Sequence, residues 1–122
     1  MTDEPDTGGT ASGLDLEVIR ELSRECSWTL AEFTEFYLSG TGKQLDRLRE
    51  AIAAGDADEV RRLAHGSVGS SASARVESMA ALFREMEVAA GAGRLEEAAG
   101  MLDRARLTFS EVTALLNDAL AS

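Results

Sequence analysis

The sequence holds one His, one Cys, one Pro, one Trp and one Tyr, and aromatic residues make up only 5% of it. One Cys excludes an internal disulfide, and one Cys with one His cannot build a zinc site. A Ser-His-Asp triad would have to form around the single His. Any chemistry that relies on an unperturbed group titrating near neutrality runs through His65. Basic residues are also scarce, 12 Lys and Arg against 22 Asp and Glu, which leaves a net charge of -10. Nucleic acid and anionic membrane surfaces do not attract such a chain. No stretch approaches the ~20 apolar residues of a membrane span. The start, Met1-Thr2-Asp3-Glu4-Pro5-Asp6, lacks the basic and apolar segments of a signal peptide. The expectation is a soluble cytoplasmic protein. Lys43 is the only Lys, and an Arg-, Ala- and Gly-rich composition fits a GC-rich bacterial coding sequence.

What is present reads as helix. A length of 122 residues with 44% hydrophobic content suits one domain with one core. Residues 1–13 are acidic, Gly-containing and almost free of apolar side chains, and are expected to form a disordered tail. Residues 14–122 are expected to form the folded domain. Strand-like alternation is absent. Asp15 is placed to cap a short first helix carrying Leu16, Ile19 and Leu22 on one face. A second helical segment follows Ser27, with Phe33, Phe36 or Tyr37, Leu45, Leu48 and Ile52 at helical spacing. By propensity alone Ser39-Gly40-Thr41-Gly42 breaks it, because each Gly costs about 1 kcal/mol relative to Ala. Gly55 ends this helix, and Asp56 with Glu59 forms a variant capping box for the next. A fourth helix over about 76–90 turns Met79, Leu82, Phe83 and Met86 inward and stops at Gly91-Ala92-Gly93. The last carries Leu95, Ala98, Leu102, Ala105, Phe109, Val112, Leu116 and Leu120. Cys26 and Trp28 are expected to pack against the bundle. Short connections between long amphipathic helices predict an all-α, up-and-down antiparallel four-helix bundle with a short extra N-terminal helix.

At about 100° per residue, Val60, Leu63, Ser67, Ser70 and Ala74 fall opposite His65 and make the expected core face. Asp58, Arg61, Arg62, Val68, Gly69 and Ala72 fall on the His65 side, so the imidazole points outward from the middle of a helix. Gly66 and Gly69 lower helix propensity just there, which suits close approach of another protein's backbone. Arg61 and Arg62, one turn before, are placed to offer guanidinium donors to an anion on His65. The plainer reading of these residues is a solvated face with an incidental His, its arginines paired to Asp58 or Glu59. Gly66-Ser67-Val68-Gly69-Ser70-Ser71 does not read as a phosphate loop, because it lacks the Lys and the preceding strand of one.

Leu63-Ala64-His65-Gly66-Ser67-Val68-Gly69-Ser70-Ser71, followed by Met79 to Glu87 and preceded by a helix ending in Gly55-Asp56, resembles a histidine-containing phosphotransfer (HPt) domain. The resemblance spans roughly residues 14 to 115. It implies that the second helix continues through Ser39–Gly42 and that the His helix continues past the Gly-Ser segment. It implies a phosphoryl carrier that is not itself an enzyme, with His65 as the acceptor. Asp58, Arg61, Arg62, Gly66, Val68, Gly69 and Ala72 would surround that acceptor as docking or phosphoryl-stabilising residues. The implied partners are receiver domains of a hybrid histidine kinase or a response regulator, which bring Mg²⁺ where this chain needs no cofactor of its own. The family pattern is His-x-x-Lys-Gly-Ser; His65, Gly69 and Ser70 match it, while Val68 stands at the Lys position and Arg75 at a usual Gly. The departure at Val68 keeps a second reading open, a module that docks on a receiver or kinase without accepting phosphate. Residues 43–75 carry six basic and five acidic side chains and are the one stretch that is not net acidic, which reduces repulsion of an acidic receiver site.

Overall fold

The computed structural model describes residues 14–121, so the expected tail, residues 1–13, lies outside the described residues. Five helices follow one another: α1 (Leu16–Glu25), α2 (Leu30–Ala53), α3 (Ala57–Ser73), α4 (Glu77–Gly91) and α5 (Leu95–Ala121). Helices α2 to α5 pack as a ring in which α3 touches α2 and α4, and α5 touches α4 and α2. Connections of three residues force consecutive members antiparallel. The short α1 packs on α2. No helix among the described residues is long and apolar enough to cross a membrane. The four-helix bundle with an added N-terminal helix is therefore the observed architecture.

The helix starts follow from short polar side chains. Asp15 accepts from the backbone amides of Glu17 and Val18. Thr29 and Glu32 complete a reciprocal capping box at the start of α2. Asp56 accepts from the Glu59 amide, but only this half of the expected box forms, because the Glu59 carboxylate turns to Arg62 instead. The ends of α1 to α4 share one device. The amides of Trp28, Asp56, Val76 and Arg94 return to the carbonyls of Ser23, Ala51, Ser71 and Ala89 at 2.8 to 3.0 Å. The residue before each amide has positive φ: Ser27 at 60°, Gly55 at 70°, Arg75 at 65° and Gly93 at 76°. Ser27 and Arg75 hold a conformation that glycine adopts without steric cost.

The core is apolar and mostly aliphatic. Leu48, Val60, Met79, Phe83, Met86, Val112 and Leu116 are fully buried. Leu14, also buried, forms an isolated antiparallel bridge with Val76 and ties the chain ahead of α1 to the α3–α4 connection.

Some expectations need correction. Helix α2 runs unbroken through Ser39–Gly42, as the resemblance implied and local propensity did not. Thr41 is buried there, and a Cβ on Gly42 would lie 3.9 Å from the Phe109 ring, so packing of α5 outweighs the cost of two glycines. Phe36 and Trp28 do not pack into the bundle: Phe36 is 69% exposed, and the two rings meet edge-on with centroids 5.1 Å apart. Cys26 is exposed at the end of α1. Ser70 is exposed although helix geometry put it on the core face, because the wall between α1, α2 and α3 is open above it. Leu120, in the last turn of α5, is exposed and not part of the buried row.

Candidate functional site

His65 lies in the middle of α3 with its side chain 73% exposed. The helix is anchored on its inner face by Val60, Leu63, Ala64 and Ser67, all buried. Ser67 is accommodated there because its hydroxyl donates to the Leu63 carbonyl at 2.9 Å. The helix is continuous through Gly66–Ser71, which fixes the outward direction of the imidazole.

Nδ1 of His65 lies 2.8 Å from Oε2 of Glu87 on α4. An ionised carboxylate has no hydrogen to give, so Nδ1 donates, and in a neutral ring the lone pair is then on Nε2. Glu87 is itself more than half covered, its side chain 28% exposed, so the pair is held by the packed α3–α4 interface. This contact joins residues 22 apart in sequence, and reading α3 alone missed it. The sequence signal for it was Glu87 in the Met79 to Glu87 stretch, one residue after the buried Met86.

The other residues singled out from sequence spread around the imidazole. Gly66 and Gly69 are exposed, and a Cβ on either would meet nothing within 4 Å. No intramolecular packing therefore requires these glycines. Asp58 is exposed in the first turn of α3. Arg62 is engaged with Glu59 through two bonds, Nε to Oε1 at 2.8 Å and Nη2 to Oε2 at 2.6 Å. That hydrogen bonding, with the charges of Arg62 and Arg47 adding, holds the Glu59 carboxyl below its ordinary value. Arg61 turns towards α4, where its Cδ would lie 3.4 Å from a Cβ on Gly91. Val68 and Ala72 are partly covered, Val68 against the core, so neither is the free surface residue that a single-helix projection suggested.

On the α2 side of α3, an open groove of about 550 Å³ runs between α1, α2 and α3, lined by Gly66, the chain neighbour of His65. Its walls include Trp28, Phe36 and Tyr37, and its α3 side is made by Gly66, Ser70 and Ser73. Lys43 and Arg47 of α2 lie at its polar rim. Two side-chain bonds hold α2 in register with α3 at this wall: Tyr37 Oη with Ser71 Oγ at 2.9 Å, and Gln44 Nε2 donating to Ser67 Oγ at 3.4 Å. Burial pushes the Tyr37 phenol up from its ordinary value, against the opposing pull of its hydrogen bonds to Ser71 and Thr41. Sequence reasoning did not bring the α2 residues of this groove to α3, because they belong to a different helix.

A site with an exposed imidazole, a carboxylate on its Nδ1 and a bare helical surface around it is equipped for nucleophilic transfer of a group at Nε2. No curated protein sequence matches the chain. Among solved structures, histidine-containing phosphotransfer protein B from Pseudomonas aeruginosa superimposes with a TM-score of 0.80 at 25% identity, covering 90% of this chain and 96% of the other. The family model of the Hpt domain matches residues 32–122, which takes in α3 with His65 and α4 with Glu87. With that match over most of its length, the chain belongs to the Hpt domain family.

Proposed function

We propose that this protein carries a phosphoryl group on Nε2 of His65 between receiver-domain aspartates of a phosphorelay. The observation that supports this most strongly is an exposed imidazole whose Nδ1 is held by Glu87, which leaves Nε2 as the nitrogen without a protein partner in that contact. In the forward step Nε2 attacks the phosphorus of an aspartyl phosphate on the partner. The N–P bond forms as the P–O bond breaks, and the electron pair returns to the aspartate carboxylate. The imidazole becomes cationic, with Nδ1–H still directed at Glu87, whose negative charge stabilises it. The return step onto a second aspartate is the reverse. Such transfer depends mainly on positioning and on neutralising charge. The receiver supplies its own carboxylates and Mg²⁺.

The groove fits the same reading. Gly66 and Gly69 clear the surface next to the nucleophile, and Trp28 and Phe36 expose aromatic area at its edge. Exposed aromatic side chains around a bare patch are what a protein partner covers.

The test is incubation with a phosphorylated receiver. Wild type should acquire an acid-labile, alkali-stable label, and His65→Gln should acquire none. Labelling of His65→Gln at the wild-type rate would remove His65 as the acceptor. Val68 at the usual Lys position favours the second reading, a docking module without transfer. That reading is upheld instead if the receiver binds and wild type stays unlabelled.

A further inference from the structure

A phosphoryl group on Nε2 places up to two negative charges on the surface of α3, close to Glu87 on α4, with Asp58 and Glu59 on the same helix about two turns before it. An anion in that company needs a cation within hydrogen-bonding reach. The cations of α3 itself are committed or averted. Arg62 is bound by both Glu59 oxygens, and Arg61 lies towards Gly91 of α4. Position 68 is apolar.

Helix α2 offers another. The Tyr37–Ser71 and Gln44–Ser67 bonds pin the antiparallel pair, and α2 therefore reaches Arg47 one turn further, beside residues 63–66 of α3. Arg47 lines the groove together with Gly66, the neighbour of His65. The absent side chain at Gly66 leaves the space open, since a Cβ there would meet nothing within 4 Å. Helical side chains lean towards the N-terminus of their own helix. In an antiparallel pair, His65 and Arg47 therefore lean towards each other, while Lys43, level with residues 67–68, leans away. The only hydrogen bond of the Arg47 side chain among the described residues runs from Nη1 to the neutral Gln44 Oε1 at 3.3 Å, which leaves most of its donor fork unused.

We propose that Arg47 is the phosphoryl-binding cation of this site, donating from α2 to the phosphoryl oxygens on His65 Nε2. The proposal rests on His65 being the phosphoryl carrier. A guanidinium fork suits the task because two of its N–H groups meet two phosphoryl oxygens at once.

The experiment labels the full chain with phosphoramidate, a small donor that needs no receiver, and follows the phosphohistidine by ³¹P NMR over a pH titration. A neighbouring cation favours the more highly charged phosphoryl. The second phosphoryl ionisation should therefore rise by roughly half a unit in Arg47→Ala and Arg47→Gln. Labelling of both variants should slow about tenfold. Arg47→Lys should recover part of each effect, and Lys43→Ala and Arg62→Ala should each change both readouts less than Arg47→Ala does. Wild-type values in Arg47→Ala and Arg47→Gln, or a larger shift in Arg62→Ala, would overturn the role of Arg47 and leave His65 as carrier. Wild type that takes label neither from phosphoramidate nor from a phosphorylated receiver would overturn both readings.

Discussion

The two flanks of α3 are built differently. On the α4 side the helix is closed: Val68 packs against the core, Arg61 reaches across to Gly91, and Glu87 holds Nδ1 of His65 at 2.8 Å. On the α2 side the lower wall is joined by Tyr37–Ser71 and Gln44–Ser67, but above it the surface falls away into the groove past Gly66 and Ser70. The carrier role proposed for His65 needs both conditions. One flank fixes the tautomer and direction of the ring, and the other leaves room for the donor and acceptor to come and go. A helix closed on both sides would hold an inaccessible imidazole, and one open on both sides would leave the ring free to rotate.

Three changes break or sharpen this contrast. The largest effect is expected from opening the closed flank. Glu87→Ala frees Nδ1, lets the ring populate both tautomers, and should slow transfer from a phosphorylated receiver about tenfold. Glu87→Gln keeps an acceptor and should recover part of the rate. A Glu87→Ala protein as fast as wild type would show that the carboxylate does not position the ring.

Loosening the groove wall comes next. Tyr37→Phe removes the hydroxyl that meets Ser71 and should destabilise the fold by about 1 kcal/mol in urea unfolding at neutral pH. The folded state raises the Tyr37 pKa, so this group's contribution is fully present below the ordinary value of 10.0 and is lost as pH rises through the higher folded value. The variant should lack that alkaline loss. An identical decline in both proteins would assign it to other groups.

The smallest effect is expected at the connection between α3 and α4. Arg75 holds φ at 65°, and Arg75→Gly relieves that strain while adding freedom to the unfolded chain. The net result should be a stabilisation of up to about 1 kcal/mol, read as a higher urea midpoint with an unchanged transfer rate. A lower midpoint would mean that Arg75 contributes more by contact than its backbone costs.

Much of this was legible in sequence. The caps at Asp15 and Asp56, the stop at Gly93, the inward row of Met79, Leu82, Phe83 and Met86, and the outward direction of His65 all follow from local chemistry and helical period. Where the expectation failed, a second element decided. Gly40 and Gly42 stay helical because α2 is packed on both sides, and Phe36 stays outside because no helix covers its face. Ser70 sits on the geometric core face of α3, yet no neighbouring helix reaches it.

By itself, then, the sequence determined the helical segments apart from the Ser39–Gly42 stretch, most of their starts and stops, and that its single His stands on an exposed helical face, because each of these depends on residues within a few positions of one another. Which carboxylate holds the imidazole and which flank of α3 stays open were decided only by tertiary structure. Glu87 comes from α4 and the open groove from α2, on opposite sides of α3, and only the packing of the three helices sets them on either flank of His65.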